Sequence, residues 1–225
     1  NDKNFRSRCS ALIKSKDKNV LIDTSPDLRN QMLRNKIKSL DTVMYTHYHA
    51  DQTHGINDLR VFFLRRKKKI PVYTDRNTKK YLLDSFSYCF KGSKEYPPIL
   101  RLFDIKKKFK IGKFINIETI KVRHGSINSV SYIINKKIAY LPDANQIYKK
   151  DYQKFFKLDF LIIDCLRYEA HPSHFNLDDV LKMNIDLKPR KLILTNLHSD
   201  LDYDKLINIL PKNTKPAYDG LTLNF

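Results

Sequence analysis

Apolar residues recur along this chain in two patterns, short continuous runs that predict buried strands and longer stretches with helical spacing. In the first part, two runs separated by a charged turn predict a hairpin, and Pro26 then begins a helix. The predicted strands are residues 9–14, 19–23, 42–45 and 69–73, and Pro71 limits the last of these to a sheet edge or a strand start. The predicted helices are residues 26–34, 56–62 and 78–90, the last capped by Thr78.

The second part of the chain predicts a further sheet, followed by alternating helices and strands. Strands at residues 100–104, 114–122, 130–134 and 137–141 are separated by polar turns and are expected to form this second sheet. Beyond them, strands at 160–164 and 191–195 alternate with helices at 146–156, 176–183 and 202–209. No internal repeat or low-complexity linker divides the chain, so we expect a single domain over residues 1–225.

A cluster of candidate metal ligands follows the apolar run at 42–45. His47, His49, Asp51 and His54 fall within eight positions. His47 and His49 are two apart, so both rings leave an extended loop on one side, and Asp51 continues that side. Imidazole nitrogen and carboxylate oxygen suit zinc, manganese or iron, and an incomplete local set implies further ligands from distant segments. The sequence therefore predicts a metal-binding loop with an open position for water.

Composition limits the class of protein. A chain of 225 residues with 41% hydrophobic residues is long enough to bury a sizeable core. No apolar run approaches the roughly 20 residues that span a bilayer, so we expect a cytoplasmic protein without membrane contact. The cysteines Cys9, Cys89 and Cys165 are far apart and show no Cys-x-x-Cys spacing, which indicates neither a disulfide framework nor a thiolate zinc site.

The net charge of +19 raises the question of a polyanionic partner. The lysines are spread along the whole chain, which favours a solvated basic surface over a nucleic-acid patch. The basic run at residues 65–69 is a candidate for steering small anionic substrates. Nucleic-acid binding is therefore possible but not favoured.

The ligand loop resembles the His-x-His-x-Asp-His motif of the metallo-beta-lactamase superfamily, with Gln52 in place of the last histidine. Segments 122–125, 139–143 and 192–198 resemble the superfamily's further ligand segments in the same order. Within it, the chain is most similar to the phosphoribosyl 1,2-cyclic phosphate phosphodiesterases of the carbon-phosphorus lyase pathway. The segments that carry this likeness are residues 46–49, 70–73, 164–165, His174 and residues 218–220.

The resemblance implies an α+β fold, a four-layer αββα sandwich, here expected to lack its first N-terminal strand. It also implies a ligand set of His47, His49 and His124 on one metal, with Asp143 bridging to a second. The second metal would use Asp51 and two histidines, whose positions hold Gln52 and Asn196 in this chain. A histidine lies two residues further on in each case, at His54 and His198.

Two interpretations of the second site stay open. In the first, which we favour because both histidines are displaced alike, Asp51, Asp143, His198 and either His54 or the Gln52 carbonyl rebuild the site for manganese. In the second, the site is lost and one metal remains. The expected cofactor is accordingly Mn²⁺ or Zn²⁺, one or two per chain.

The resemblance implies a metal-dependent phosphodiesterase that hydrolyses a small cyclic phosphodiester through a metal-bound hydroxide. Asp51 would orient the water and His174 would protonate the leaving oxygen. Arg60 and His171 are weaker candidates for substrate binding, and structural roles are preferred for both. The alternatives are an RNA-processing nuclease of the same superfamily and a catalytically weakened nucleic-acid-binding module. A homodimer is possible.

Overall fold

The chain folds into two compact units, each built around its own sheet. The computed structural model describes residues 1–225. The N-terminal unit comprises Arg8–Lys106 and Lys110–Ile115, and the C-terminal unit comprises Asn1–Ser7, Lys107–Phe109 and Asn116–Phe225. The assignment of all 225 residues to one domain stays a prediction.

The N-terminal unit contains a five-stranded sheet with strand order β1-β2-β3-β4-β5. β1 is antiparallel to β2, and the remaining neighbours are parallel. Parallel neighbours need crossover connections, which the intervening helices supply. The strands are β1 (Ala11–Lys14), β2 (Asn19–Ile22), β3 (Thr42–Met44), β4 (Ile70–Thr74) and β5 (Leu100–Asp104). The helices are α1 (Leu28–Arg34), α2 (Ala50–Thr53), α3 (Arg60–Arg66), α4 (Arg76–Ser85) and α5 (Ser87–Phe90).

Three predictions for this unit are wrong in detail. β5 was expected in the second sheet but pairs in parallel with β4, because an apolar run does not reveal which neighbour it joins. The helix predicted at 78–90 begins earlier and breaks at Phe86, and its N-cap is Asp75, whose side chain accepts a hydrogen bond from Thr78 N at 2.9 Å. Residues 56–59 form a 3-10 turn that precedes α3, so the helix predicted at 56–62 is shifted.

The C-terminal unit carries most of the larger, eight-stranded sheet. Its strand order is β10-β7-β8-β9-β11-β12-β13, with β6 beside β7. The antiparallel strands are β7 (Ile115–His124), β8 (Ile127–Ile134), β9 (Ile138–Leu141) and β10 (Gln146–Ile147), and β6 (Lys108–Ile111) pairs with β7. The strands that continue the sheet in parallel are β11 (Phe160–Asp164), β12 (Lys191–Thr195) and β13 (Thr214–Pro216). β7 and β9 are both antiparallel to β8, so they end at the same edge of the sheet.

Helices cover the parallel part of this sheet. They are α6 (Lys149–Tyr152), α7 (Leu177–Leu187) and α8 (Tyr203–Ile209). Asn176 begins α7 with a capping box, and the buried face of that helix presents Val180, Met183 and Leu187 to the core. The single helix predicted at 146–156 is wrong, because the segment divides into β10, α6 and a 3-10 turn. The predicted α+β class is confirmed, since both sheets are mixed and carry helices. None of the helices has the length and apolar character needed to cross a bilayer.

The N-terminal unit should be sensitive to a methyl group at Gly55, directly after α2. A Cβ there would overlap the carbonyl oxygen of Ser25 and lie 2.9 Å from Leu28 Cβ. We expect Gly55→Ala to lower the free energy of unfolding by about 1–3 kcal/mol, as overpacking does in well-packed cores. Urea denaturation measures this. The exposed helical substitution Ser85→Ala should change stability by less than about 0.5 kcal/mol, and equal effects would contradict the packing described here.

Candidate metal centre

A buried carboxylate orients the first histidine of the N-terminal unit. Asp23, which follows β2 with a positive φ of 63°, accepts hydrogen bonds from Thr46 N and Thr46 Oγ1, both at 2.8 Å. The Thr46 hydroxyl lies 3.1 Å from His47 Nδ1. Because the hydroxyl donates its proton to Asp23, it accepts from the Nδ1–H of His47. This tautomer leaves a lone pair on Nε2, which is the form that binds a metal.

The extended part of the motif ends at His49. The His47 and His49 rings meet edge to face with centroids 4.5 Å apart. His49 is the N-cap of α2, so Asp51 lies in the first turn of a helix. The sequence-based expectation that Asp51 continues the extended loop is therefore wrong. Gln52, fully buried in α2, donates from Nε2 to Asp51 Oδ2 at 2.9 Å. The helical turn therefore brings an amide donor against the motif carboxylate.

His54 is held away from the ligand loop by its own contacts. Its Nε2 lies 3.0 Å from the hydroxyl of Tyr81, and its ring packs edge to face on Phe86 with centroids 5.5 Å apart. The side chain is exposed. His54 therefore packs against α4 and the residue that follows it. Its role as a ligand of a second metal stays a prediction.

The C-terminal unit gathers three potential ligands at one sheet edge. His124 is the last residue of β7, Asp143 follows β9, and His174 lies in the segment that precedes α7. Their ligand atoms lie within 4.8 Å of one another. His124 Nδ1 lies 2.7 Å from the carbonyl oxygen of Ser173, so Nδ1 carries the proton and Nε2 carries the lone pair.

His174 is paired with a second buried carboxylate. Its Nδ1 lies 2.7 Å from Asp164 Oδ2, and the same oxygen accepts from Ala144 N at 3.0 Å. Burial raises the pKa of Asp164 well above its usual range. The other groups in contact with Asp164, Ala144 N and Asn196 Nδ2, are hydrogen-bond donors, so Asp164 acts as an acceptor. We therefore assign the proton between His174 and Asp164 to Nδ1 of His174. The ring of His174 also meets that of His124 edge to face, with centroids 4.7 Å apart.

Asn196 links the two carboxylates of this unit. It follows β12 with a positive φ of 60°. Its Nδ2 lies 3.2 Å from Asp143 Oδ1 and 3.3 Å from Asp164 Oδ1. His198, two residues on, is more than half exposed, and its Nδ1 lies 2.9 Å from Asp200 Oδ1. The structure therefore places the amide of Asn196, and not the ring of His198, against Asp143.

The two weaker candidates have structural partners. The Arg60 guanidinium stacks on the Tyr96 ring at 3.7 Å from its centroid, and Tyr96 in turn donates its hydroxyl proton to Asn57 Oδ1 at 3.0 Å. His171 Nδ1 lies 3.2 Å from Ser173 Oγ, and partial burial, together with the nearby His174, lowers the pKa of His171. Substrate contacts for Arg60 and His171 stay predictions.

Sequence reasoning missed the residues that orient the histidines, Asp23, Thr46 and Asp164. Each carboxylate stands where a strand ends, Asp23 directly after β2 and Asp164 as the last residue of β11. An acidic residue that ends an apolar strand is the signal that was available. It does not identify the histidine that the carboxylate contacts, because that partner comes from another segment.

Comparisons with known proteins identify the fold family. A profile of the beta-lactamase superfamily domain matches residues 18–196. The chain belongs to the metallo-beta-lactamase superfamily. The crystal structure of a diphosphatase from the PhnP family matches with a TM-score of 0.92 and 29% identity, over 100% of this chain and 87% of that one. Zinc-bound PqqB from Methylobacterium extorquens matches with a TM-score of 0.81 and 15% identity, over 98% and 88% of the two chains.

A curated relative matches only through part of its length. An octanoyltransferase of Porphyromonas gingivalis is 32% identical over 224 residues, which cover 96% of this chain and 44% of that protein. The chain therefore spans less than half of the length of the curated relative that it matches.

The superfamily membership confirms the resemblance and the metallo-beta-lactamase fold predicted from the sequence. The donors fit a divalent metal, because His47 and His124 both present Nε2 lone pairs and Asp143 offers a buried carboxylate. Within this fold, the chain therefore carries side chains that could hold a metal ion. The individual ligand assignments, and the expected absence of the superfamily's first strand, stay predictions.

The hydrogen bonds of Asp23 should support metal binding through His47. Asn is tolerated at a positive φ, so Asp23→Asn keeps the backbone while it removes the charge and one acceptor. We expect metal affinity to fall about 10-fold to 100-fold, the usual effect of removing a group that orients a ligand. Competition with a fluorescent chelator measures this. Asp75→Asn, the same change at the N-cap of α4, should leave the affinity unchanged, and equal losses would argue against the Asp23 relay.

Proposed function

We propose that this protein is a metal-dependent phosphodiesterase that hydrolyses a small cyclic phosphodiester, such as phosphoribosyl 1,2-cyclic phosphate. The observation that carries this proposal is the Asp164–His174 pair beside Asp143. A carboxylate that accepts the Nδ1–H of an imidazole fixes its tautomer and stabilises its protonated form, as a general acid requires. The likeness to a diphosphatase of the PhnP family supports phosphorus chemistry.

The proposed metal ligands are His47, His49, His124 and Asp143, as the resemblance to the superfamily implies. The chemistry that bound Mn²⁺ or Zn²⁺ supplies is a water of lowered pKa and a Lewis acid for a phosphoryl oxygen. The protein's own groups bring protons and orientation. Asp51, fixed by Gln52, orients the attacking water. His174 donates a proton from Nε2 to the leaving oxygen while Asp164 holds the Nδ1–H.

The charge of the protein suits an anionic substrate. The net charge of +19 raises the local concentration of small phosphates, an effect that weakens with salt. We propose that the substrate is a small molecule and that the protein acts in the cytoplasm. The homodimer stays a prediction, which the mass of the protein in solution tests.

Phosphoric anhydrides are a second candidate substrate class, because the solved relative at 29% identity is described as a diphosphatase. A nuclease is the third candidate, suggested by the basic charge. Parallel assays with a cyclic phosphodiester, a nucleoside diphosphate and a short RNA separate the three. We expect the cyclic phosphodiester to be hydrolysed fastest, and preferred cleavage of either other substrate would overturn the substrate proposal.

Replacement of His47 or His174 by alanine should lower turnover for different reasons. We expect His47→Ala to lower both metal content and hydrolysis of a generic phosphodiester with added Mn²⁺. His174→Ala should lower hydrolysis about 10²-fold to 10⁴-fold, which is the contribution of a general acid. The exposed substitution Lys215→Ala on β13 should leave the rate unchanged. Hydrolysis at the wild-type rate in both histidine variants would contradict the proposed function.

The acceptor role of Asp164 gives a separate prediction. In Asp164→Asn the neutral amide no longer stabilises the imidazolium of His174, and its nitrogen can donate to Nδ1, which favours the neutral ring over the form protonated at both nitrogens. We expect kcat to fall by about 10²-fold to 10⁴-fold with the metal content unchanged. Steady-state kinetics and elemental analysis test both parts. Asp159→Asn, the same change at a partly exposed residue paired with Arg190, is the control and should retain wild-type kcat.

A further inference from the structure

The amide of Asn196 contacts a carboxylate that a second metal would need. Asn196 Nδ2 lies within hydrogen-bond distance of both Asp143 Oδ1 and Asp164 Oδ1. Carboxylates accept, so the nitrogen of the amide, and not its oxygen, must face them. An amide nitrogen has no lone pair to offer a metal, and its N–H groups point partial positive charge at the carboxylates. Asp143 is therefore stabilised by hydrogen bonds on the side that Asn196 covers.

The N-terminal unit uses the same arrangement at its own carboxylate. The fully buried Gln52 donates from Nε2 to Asp51 Oδ2 at 2.9 Å. A carboxylate only accepts hydrogen bonds, so the nitrogen of the Gln52 amide, and not its oxygen, must face Asp51, as the nitrogen of Asn196 faces Asp143. In both units, a side-chain amide thus donates a hydrogen bond to a carboxylate.

The nearby histidines do not compensate for these amides. His54 is turned to Tyr81 and Phe86, and His198 to Asp200. His47, His49 and His124 are assigned to one metal, and His174 is assigned to proton transfer and hydrogen-bonded to Asp164. The carboxylates left for a second metal, Asp51 and Asp143, each already accept a hydrogen bond from an amide. Divalent zinc or manganese bound at such a pair would compete with hydrogen bonds that are already formed.

We propose that this protein binds one divalent metal per chain, and that Asp51 and Asp143 accept hydrogen bonds from Gln52 and Asn196 in place of binding a second metal. The inference rests on the metal dependence of the proposed function. It selects the one-metal interpretation of the ligand sequence over the rebuilt two-metal site. Gln52 and Asn196 act as positioning residues, since each works through the carboxylate that it contacts.

The sharpest test converts both amides to imidazoles. Asn196 has a positive φ, a conformation in which histidine is also enriched, so Asn196→His is compatible with the backbone. Gln52→His lies inside α2 and replaces one buried polar side chain by another of similar size. The matched controls are Asn135→His, at another asparagine with a positive φ, and Gln153→His, at an exposed glutamine.

Metal content is measured by elemental analysis after loading with excess Mn²⁺ and removal of free ion. We expect one equivalent per chain for the wild type and for the Asn135→His and Gln153→His double control, and two equivalents for Gln52→His with Asn196→His. Two equivalents in the wild type would overturn the one-metal inference and leave the proposed function intact. No bound metal in the wild type would overturn the metal-dependent function itself, and the inference with it.

A second measurement does not depend on folding of the variants. Electron paramagnetic resonance of the wild type loaded with Mn²⁺ should give the six-line signal of an isolated ion, and a spin-coupled multiline signal would overturn the inference.

His54→Ala and His198→Ala should keep one equivalent of metal. A loss of bound metal in either variant would show instead that a displaced histidine is a ligand.

Discussion

The C-terminal unit depends on the burial of one carboxylate, Asp164. A buried carboxylate must find donors, because each unsatisfied polar group costs about 1–3 kcal/mol and a charged one costs more. Asp164 finds them in Ala144 N, His174 Nδ1 and Asn196 Nδ2. These donors come from the segments that follow β9, β11 and β12, so satisfying a single side chain brings three loops together at one sheet edge. The position of His174 follows from this requirement.

The N-terminal unit meets the same requirement with a different acid. Asp23 is buried where β2 ends, and its oxygens accept from the backbone and the hydroxyl of Thr46. The hydroxyl then orients His47, as the carboxylate of Asp164 orients His174 directly. In both units an acid at a strand end holds a functional imidazole, and the imidazole presents its free nitrogen away from the acid. The tautomers that metal binding and proton transfer need are therefore determined by buried charge.

The sequence predicted the fold class and the strand ends that carry His47, His49, His124 and Asp143, because strand periodicity and histidine spacing are local properties. It did not predict the sheet that β5 joins, since strand pairing depends on contacts between distant segments. The orientations of His54 and His198 were equally hidden. Tyr81 is 27 residues from His54 and belongs to another helix, whereas Asp200 lies beside His198 but is an ordinary exposed acid until the structure shows their contact. Spacing identifies a candidate ligand, but the surrounding hydrogen bonds decide where its ring points.

Under the one-metal proposal, the two amides act together. With Asn196 but a histidine at position 52, a second metal would still have Asp51 and one imidazole as ligands. It would bind weakly and offset the charge of Asp143 only in part. If only Gln52 did so, Asp143 would lack the donor that now lies 3.2 Å from it whenever the metal was absent. With both amides in place, each carboxylate has a permanent partner that does not depend on metal supply. The cost is the loss of a doubly charged ion as an electrophile, which increases the share of charge stabilisation that must come from the protonated His174 and the positive field of the protein.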